Sequence, residues 1–522
     1  MDAQLYATLN KAWNSTCRVL FGQEIGELSE YEGYLSEYLP KKARRKSHVS
    51  GDEVILARNA YPKDARFVSA GELSYNRDYS LGINQIKDID SIVEALFEKC
   101  EYTGNKILGN SAFVESSDIV MDSQYVHNST DITESQYVCS SFMVRRGSKY
   151  CFAAGWSAMA EFLVRLVGSV NAKRVFESHF IGDSADIYFS HSCFGCQNLM
   201  FSFGQRNKSY RIGNLQLAKE KYLGLKAKII SEVCERLKKE KSFPSLLELV
   251  GKNAPAELPK IGEFAKKEET SMAPIEKGFS TIYGLLFKKT PGSIREYEGW
   301  LTRNSIKLRE VKTPFGDFTQ QPEGFPIFSS FPERRAVGFD ESVALGEATR
   351  LGESEIQNLG MISKSLQKIG FFTAEWKYGS SYNSISSPVV FHASNVYKTY
   401  DATHADNVAL CFHALDGKYV YGCFRALESQ FSMKCYNSLY LNRCFELDSC
   451  DKCSDSYFCH NCEGLADCMF CFNMKGKRFA IGNTDLEKEK YAQVKEALVK
   501  QMGEELGKKK ELKWDIYNIG AR

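Results

Sequence analysis

Apolar residues recur at helical spacing in two related places. Tyr222, Leu225, Ile229 and Val233 form one stripe, and Tyr491, Val494, Leu498 and Met502 form another. Each predicts an amphipathic helix, the second opened by a Thr484–Glu487 capping box. Ahead of each helix the pattern shortens. Cys435, Cys444, Cys453, Cys462 and Cys471 stand nine residues apart, as do Cys450, Cys459 and Cys468, with Cys423 on the same grid. Written in nines, 417–479 has small or apolar residues at the first and seventh places and charged or amide residues at the last two. Such a period does not hold one helix face. It suits a short strand and a turn, and two of these make one coil of a flattened parallel β-solenoid. That predicts about 18 residues per coil and a rise of about 4.8 Å, so that inward side chains stack on their own kind.

The chain also repeats itself at long range. FGQEIGELSEYEGYL (21–35) aligns without gaps to FKKTPGSIREYEGWL (287–301), an offset of 266. Residues 176–222 align without gaps to 445–491, an offset of 269, with 20 of 47 positions identical. Two near-equal offsets in the same order predict a tandem duplication of a unit of about 270 residues. The expected fold class is α+β with a parallel β-solenoid in each unit. The expected parts are an α+β opening part (1–110), a β-solenoid (111–214) and a helix (215–250). After a Pro-, Lys- and Glu-rich linker (251–275) come a second opening part (276–385), a second β-solenoid (386–483), and a C-terminal helix and tail (484–522). The two units are expected to form an internal pseudo-dimer, with further oligomerisation open.

Composition changes this picture little. With 522 residues, 25% charged and 43% apolar, the chain reads as a globular protein too long for one core. A formal charge of +2 exerts no general pull on nucleic acid or acidic membranes. No apolar run reaches the length of a membrane span, and MDAQLYATLNKAW lacks the basic-then-apolar order of a secretion signal. Seventeen cysteines then read as free thiols, and the expected location is cytoplasmic.

The cysteine series is where chemistry and architecture compete. Cys450, Cys453, Cys459, Cys462, Cys468 and Cys471 form three C-x-x-C pairs, the usual signature of a zinc site. The short gaps on a strict period favour a core ladder instead. At the matching places in the first unit, Cys444, Cys450, Cys453, Cys459, Cys468 and Cys471 become Val175, Ile181, Ser184, Ser190, Leu199 and Ser202, and only Cys462 keeps its thiol, as Cys193. Val, Ile and Leu cannot hold a metal, so cysteine is read as a small core residue. No cofactor is expected, zinc being the alternative.

Other candidates are weaker signals. His191 and His460 occupy equivalent places, with Asp186 and Asp455 nearby, and a polymer-acting β-helix enzyme would use acids on such a face. Turn residues are the plainer reading, and no catalytic residue is assigned. Lys41, Lys42, Arg44, Arg45 and Lys46 are the one dense basic run and the candidate nucleic-acid contact. The counterpart KLREVK is diluted by Glu310.

The stretch 193–222 resembles the end of a Cys-rich repeat family found in candidate-phylum bacteria and archaea. Members close with a C-x-x-C series, then N-K-x-Y-x-I-x-N and K-E-x-Y, matched here by Asn207, Lys208, Tyr210, Ile212, Asn214, Lys219, Glu220 and Tyr222. The second copy departs at Gly476 and Phe479 but keeps Lys477, Ile481, Asn483 and Lys488 to Tyr491. The likeness covers mainly 176–222 and 445–491, and the zinc ribbon that relatives often carry has no counterpart. It implies a solenoid-like fold and a microbial origin, and no activity. The reading that follows is a non-enzymatic intracellular scaffold that binds a macromolecular partner, protein before nucleic acid, through solenoid surfaces. The alternatives are an RNA- or DNA-associated factor, a zinc-binding protein and the polymer-acting enzyme.

Overall fold

The computed structural model describes residues 1–73, 80–255, 257–262, 269–436 and 438–521, so the expected linker lies partly outside the described residues. The chain is mixed α and β, with multi-stranded parallel sheets. Its longer helices include α1 (Ala3–Phe21), α2 (Lys219–Glu240), α3 (Ala273–Phe287), α4 (Phe339–Ala348) and α5 (Lys488–Lys509).

Between α1 and α2, and again between α4 and α5, the backbone is laid in short strands. From Ala112 in the first stretch and Tyr382 in the second, most strands pair in parallel with one twelve residues further on. Asp118 faces Thr130 and Gln124 faces Gln136 in the first ladder; Asp401 faces His413 and Asp406 faces Lys418 in the second. In the second ladder, strands alternate between two parallel sheets. One runs through Val389–Phe391, Asp401–Thr403 and His413–Leu415, the other through Ser394–Tyr397, Asp406–Ala409 and Lys418–Tyr421. Inward residues of both sheets meet in a single buried cluster.

The expected 18 residues per coil is therefore corrected to a register of twelve. The physical reason lies in which residues point inward. Val390, Ala393, Val396, Ala402, Ala405 and Val408 are buried in that cluster, every one at a multiple of three, as are Cys411, Cys423, Cys435 and the later cysteines. Spacings of three and six generate nines wherever cysteine happens to occupy the column, so the nine-residue grid is a multiple of the true period. The first ladder obeys the same rule with Val120, Val126, Ile132, Val138 and Val144 in its core and Ser123, Ser129, Ser135 and Ser141 between them. One extra residue then enters. Gln136 faces Lys149, a register of thirteen, and Gly147 takes φ +76° at the insertion. Beyond it the inward set shifts by one, to Cys151, Ala154, Leu163 and Leu166.

The period of three has a backbone signature. Residues just before the inward ones sit in the left-handed region, from Phe113, Ser116, Ile119 and Asp122 through Tyr125 and Asn128 and onward. For a non-glycine residue this costs about 1–2 kcal/mol, and it persists because the ladder takes up the amides. Asn128, Ser140 and Leu410 donate their N–H groups to the carbonyls of Glu115, His127 and Tyr397, thirteen residues earlier, at 3.2, 3.0 and 2.8 Å.

Each ladder ends in a tight antiparallel hairpin, Ile212 against Leu215 and Ile481 against Thr484, followed by α2 or α5. These helices bury most of the expected stripes, Tyr222, Ile229 and Val233 in one, Tyr491, Leu498 and Met502 in the other, while Leu225 and Val494 are half-buried. The expected capping box does not form. Glu487 is the N-cap without a side-chain hydrogen bond, and Thr484 belongs to the hairpin, where its hydroxyl donates to the Leu81 carbonyl. No helix among the described residues is long and apolar enough to cross a membrane.

The chain clusters into two compact units that are not its two halves. Unit 1 comprises Met1–Lys42, Lys106–Lys266 and Arg309–Trp376; unit 2 comprises Ala43–Asn105, Lys267–Leu308 and Lys377–Arg522. The opening parts drawn at 1–110 and 276–385 thus divide differently. The segment 43–105, with its antiparallel pair Ala43–Lys46 and Glu53–Leu56 and its helix Ile89–Lys99, packs in unit 2. The segment 309–376, carrying α4, packs in unit 1. Contact there is close enough to require glycine. A Cβ on Gly204 would come within 2.0 Å of the Ser342 carbonyl oxygen in α4, and one on Gly346 within 2.2 Å of the Gly204 oxygen.

The inward column makes a direct stability forecast. Ile132→Ala removes a fully buried side chain from the first ladder and lowers the unfolding free energy in urea by about 2–5 kcal/mol. A loss below about 1 kcal/mol would mean that this column does not carry the core.

Candidate functional site

In each unit the strongest polar feature is a buried ion pair on the ladder, roofed by an aromatic ring. In unit 1, Arg165 Nε lies 2.6 Å from Glu177 Oε2, both side chains fully buried. The same guanidinium donates at 2.6 Å to the Tyr34 carbonyl and to Glu37, and lies 4.1 and 4.3 Å over the rings of Tyr34 and Tyr38. Glu177 also accepts the Leu246 N–H at 3.1 Å. In unit 2, Lys434 Nζ lies 2.8 Å from Glu446, again fully buried, and 4.6 Å over the Trp300 ring. Arg165 and Lys434, like Glu177 and Glu446, are 269 residues apart, and Tyr34 and Trp300 are 266 apart. The two stretches that betray the repeat in the sequence therefore meet around one charge pair. Desolvation pushes the Glu177 carboxyl up against the opposing pull of Arg165, and pushes Glu446 up to about 7 against Lys434.

His191 and His460 are pins for the segments just described. His460 Nε2 accepts the Thr103 N–H at 2.9 Å, and its Nδ1 meets Asp448 at 2.9 Å. Asp448 is in turn held by the hydroxyls of Tyr61 at 2.8 Å and Tyr517 at 3.2 Å. In unit 1, His191 Nε2 accepts the Thr373 N–H at 2.9 Å. The place of Asp448 is taken by His179, whose two ring nitrogens have no hydrogen-bond partner among the described residues. Burial pushes His179 down to about 3 and His191 well below the usual range, so both imidazoles stay neutral. A second contact repeats beside the first: the Leu81 N–H donates to the Gly482 carbonyl at 2.9 Å, and the Leu351 N–H to Gly213 at 2.8 Å. Sequence reasoning missed Leu81, Thr103, Leu351 and Thr373. Their common offset of 270, and the Leu-Gly pairs 81–82 and 351–352, were the available signal.

The other candidate residues are engaged locally. Asp186 is clamped by Arg174 at 2.9 and 2.6 Å, and Asp455 by Arg443 at 2.7 and 2.6 Å, each from twelve residues back. The paired carboxylates that a polymer-cleaving face would need are not what these positions form. In the basic run, Lys42 donates to the Ser116 carbonyl at 3.0 Å and to Asn128, Arg44 pairs with Glu53, and Arg45 bonds Asn59. Lys41 and Lys46 are exposed. Arg44, Arg45 and Lys46 lie on the strand Ala43–Lys46, while Lys41 and Lys42 precede it.

All seventeen cysteines are free and buried. Sγ of Cys450, Cys459 and Cys468 lies 3.4 Å from the carbonyl two residues back; for Cys453, Cys462 and Cys471 the distance is 3.3 Å. Serines of the first ladder do the same at shorter range, Ser123 and Ser141 each at 2.8 Å, and accept the N–H twelve residues on, Ser123 from Ser135 at 3.0 Å. Cys423 accepts likewise from the Cys435 N–H at 3.3 Å. Thiol and hydroxyl thus fill one stereochemical role, and burial pushes Cys444, Cys450, Cys459 and Cys471 well above the usual thiol range. Among the described residues no group of three or more His, Cys, Asp or Glu is placed to hold a metal ion.

Comparison with family models, with curated proteins and with solved structures yields no match.

Two outcomes check this geometry. Arg165→Met strands Glu177 and destabilises unit 1 by about 3–5 kcal/mol in urea unfolding, whereas Arg165→Met with Glu177→Leu recovers most of that loss; equal losses would deny the pair its role. His179 binds its proton near pH 3 when folded and near 6.5 when unfolded. The unfolded chain therefore holds more protons as pH falls below 6.5, and stability drops. The share from His179 is about 2 kcal/mol between pH 7 and pH 5. His179→Gln should shrink the measured pH dependence by that amount; an unchanged slope would place the imidazole in water.

Proposed function

We propose that this chain is a non-enzymatic binding scaffold, built by tandem duplication, whose two ladders are β-solenoids with twelve residues per coil. Matching contacts at offsets of 266, 269 and 270 support the duplication. Alternating strands around one core support the solenoid. In this reading the cysteines are core filler, and a protein partner docks on an outer face. The microbial Cys-rich repeat family remains the proposed kinship.

One observation carries the reading. Phe113, Tyr125, Tyr137, Tyr150 and Phe162 stack ring on ring along the outside of the first ladder, with centroids 4.9, 5.3, 4.9 and 4.7 Å apart. Phe113 is exposed and the other four are half-buried. Their ring faces are spent on one another, so what the column offers is a rigid ridge of ring edges. The inward column fixes each ring through the backbone, so the ridge loses little entropy on binding. Amphipathic aromatic edges of this kind are favoured anchors in protein interfaces.

Affinity capture from the source cell with the intact chain, beside Tyr125→Ser/Tyr137→Ser, tests it. A defined protein should be recovered by the wild type and fall about tenfold in the variant. The same proteins recovered equally by both would remove the ridge from the interface. Recovery abolished by nuclease would move the reading to a nucleic-acid partner.

A further inference from the structure

Unit 2 holds a cavity of about 890 Å³ between the end of α3, the outer face of the ladder and α5. Its walls are apolar and aromatic, with Leu286, Phe287, Tyr457, Phe479, Tyr491 and Val499 among them. Charge is distributed unevenly around it. Arg443 is committed to Asp455, and Lys495 lies 3.2 Å from Asp467. Lys288, Lys289, Lys488 and Lys500 also line the cavity, and they have no ion-pair partner among the described residues. The one remaining acid in the lining is Glu496. Beside the cavity lies the Tyr491 hydroxyl, whose counterpart in unit 1, that of Tyr222, is likewise unpartnered among the described residues. It is buried without a hydrogen-bond partner, while its residue, 2% exposed, lines the same space. A buried, unsatisfied hydroxyl is costly unless something else takes its proton or offers one.

The corresponding place in unit 1 sharpens this. Positions 266 or 269 residues earlier keep the frame of the cavity, with Arg174, Asp186, Tyr188, Lys219, Tyr222 and Lys226. They do not keep its added charge. Lys288, Lys289, Arg478 and Lys500 are matched by Gly22, Gln23, Ser209 and Ser231. Four cations have thus accumulated around one of two otherwise similar surfaces; Lys288 is the C-cap of α3 and Arg478 lies 4.8 Å over the Phe479 ring, yet like charges gathered in this way repel unless an anion sits among them.

We propose that this cavity binds an amphipathic organic anion: a phosphate or carboxylate end held by the lysine rim, and an apolar or aromatic body lying on Phe287, Tyr457 and Phe479. The volume is that of a small-molecule site. The cations steer the ligand in, so affinity falls with salt.

The probe is 8-anilinonaphthalene-1-sulfonate, an aromatic anion whose fluorescence rises in apolar surroundings, titrated into the full chain. Saturable binding at one site is expected, weakened about tenfold by ~0.5 M sodium chloride and about tenfold by Lys289→Glu/Lys500→Glu. Both lysines are exposed, so the variant keeps its melting temperature. Lys219→Glu, at the matching place in unit 1, should leave the titration unchanged. Inorganic phosphate alone should not displace the probe, because the apolar body supplies much of the binding. Absence of saturable binding, equal affinity in the charge-reversed variant, or full displacement by phosphate would each overturn the proposal.

Discussion

A parallel register of twelve, with every third residue turned inward, is the constraint on which the structure depends. It places four side chains of every twelve in the core and repeats them at the spacing between neighbouring strands, about 4.8 Å. At that distance a column tolerates residues that pack on copies of themselves. Val and Ile satisfy this through shape. Ser and Cys satisfy it through a short donor that bonds the carbonyl two residues back, as Ser141 and Cys450 do. The left-handed residue before each inward position belongs to the same constraint, because it recurs at the same step of three. Aromatic residues are barred from the inward column by size and collect on the outside, where Phe113 to Phe162 stack in the same rhythm.

That rhythm was half legible in the sequence. The parallel architecture, the stacking of like residues and the identity of the closing helices could be read from cysteines and apolar stripes. The coil length could not, because cysteine occupies only some inward places and its visible spacing of nine is three times the real step. The serine and valine columns of the first ladder, Ser123 to Ser141 and Val120 to Val144, show the period of six more cleanly. They are chemically unremarkable, though, and thiols draw the eye. The capping box at Thr484 was misread for a similar reason. Local spacing matched, but a hairpin ending the ladder had the stronger claim on that residue.

Nothing local announced the exchange of segments. Residues 43–105 and 309–376 have ordinary compositions, and their attachment depends on contacts hundreds of residues apart: Thr103 with His460, Thr373 with His191, Leu81 with Gly482, Leu351 with Gly213. Here the recurring histidines find their use. A neutral imidazole offers one lone pair to a backbone N–H that would otherwise be buried unpaired, a need that neither Val nor Ser meets at that reach. The candidate site was therefore visible as residues and invisible as a role. His191 and His460 were singled out correctly, while their partners lay in segments with no periodic pattern to mark them.

The paired equivalents also separate what the fold requires from what it permits. A buried cation beside a glutamate, roofed by an aromatic ring, is kept in both units although Arg165 and Lys434 differ and Tyr34 and Trp300 differ. Either cation can neutralise the acid, and either ring can face it, so the electrostatic requirement outlives the identities. The arginine clamps Arg174–Asp186 and Arg443–Asp455 persist unchanged, each tying residues twelve apart. Lys288, Lys289, Arg478 and Lys500 follow neither pattern. Their matched positions in unit 1 are glycine, glutamine and serine. Cations that one unit lacks, and the other gathers around an apolar hollow, are explained by an anion that enters the hollow.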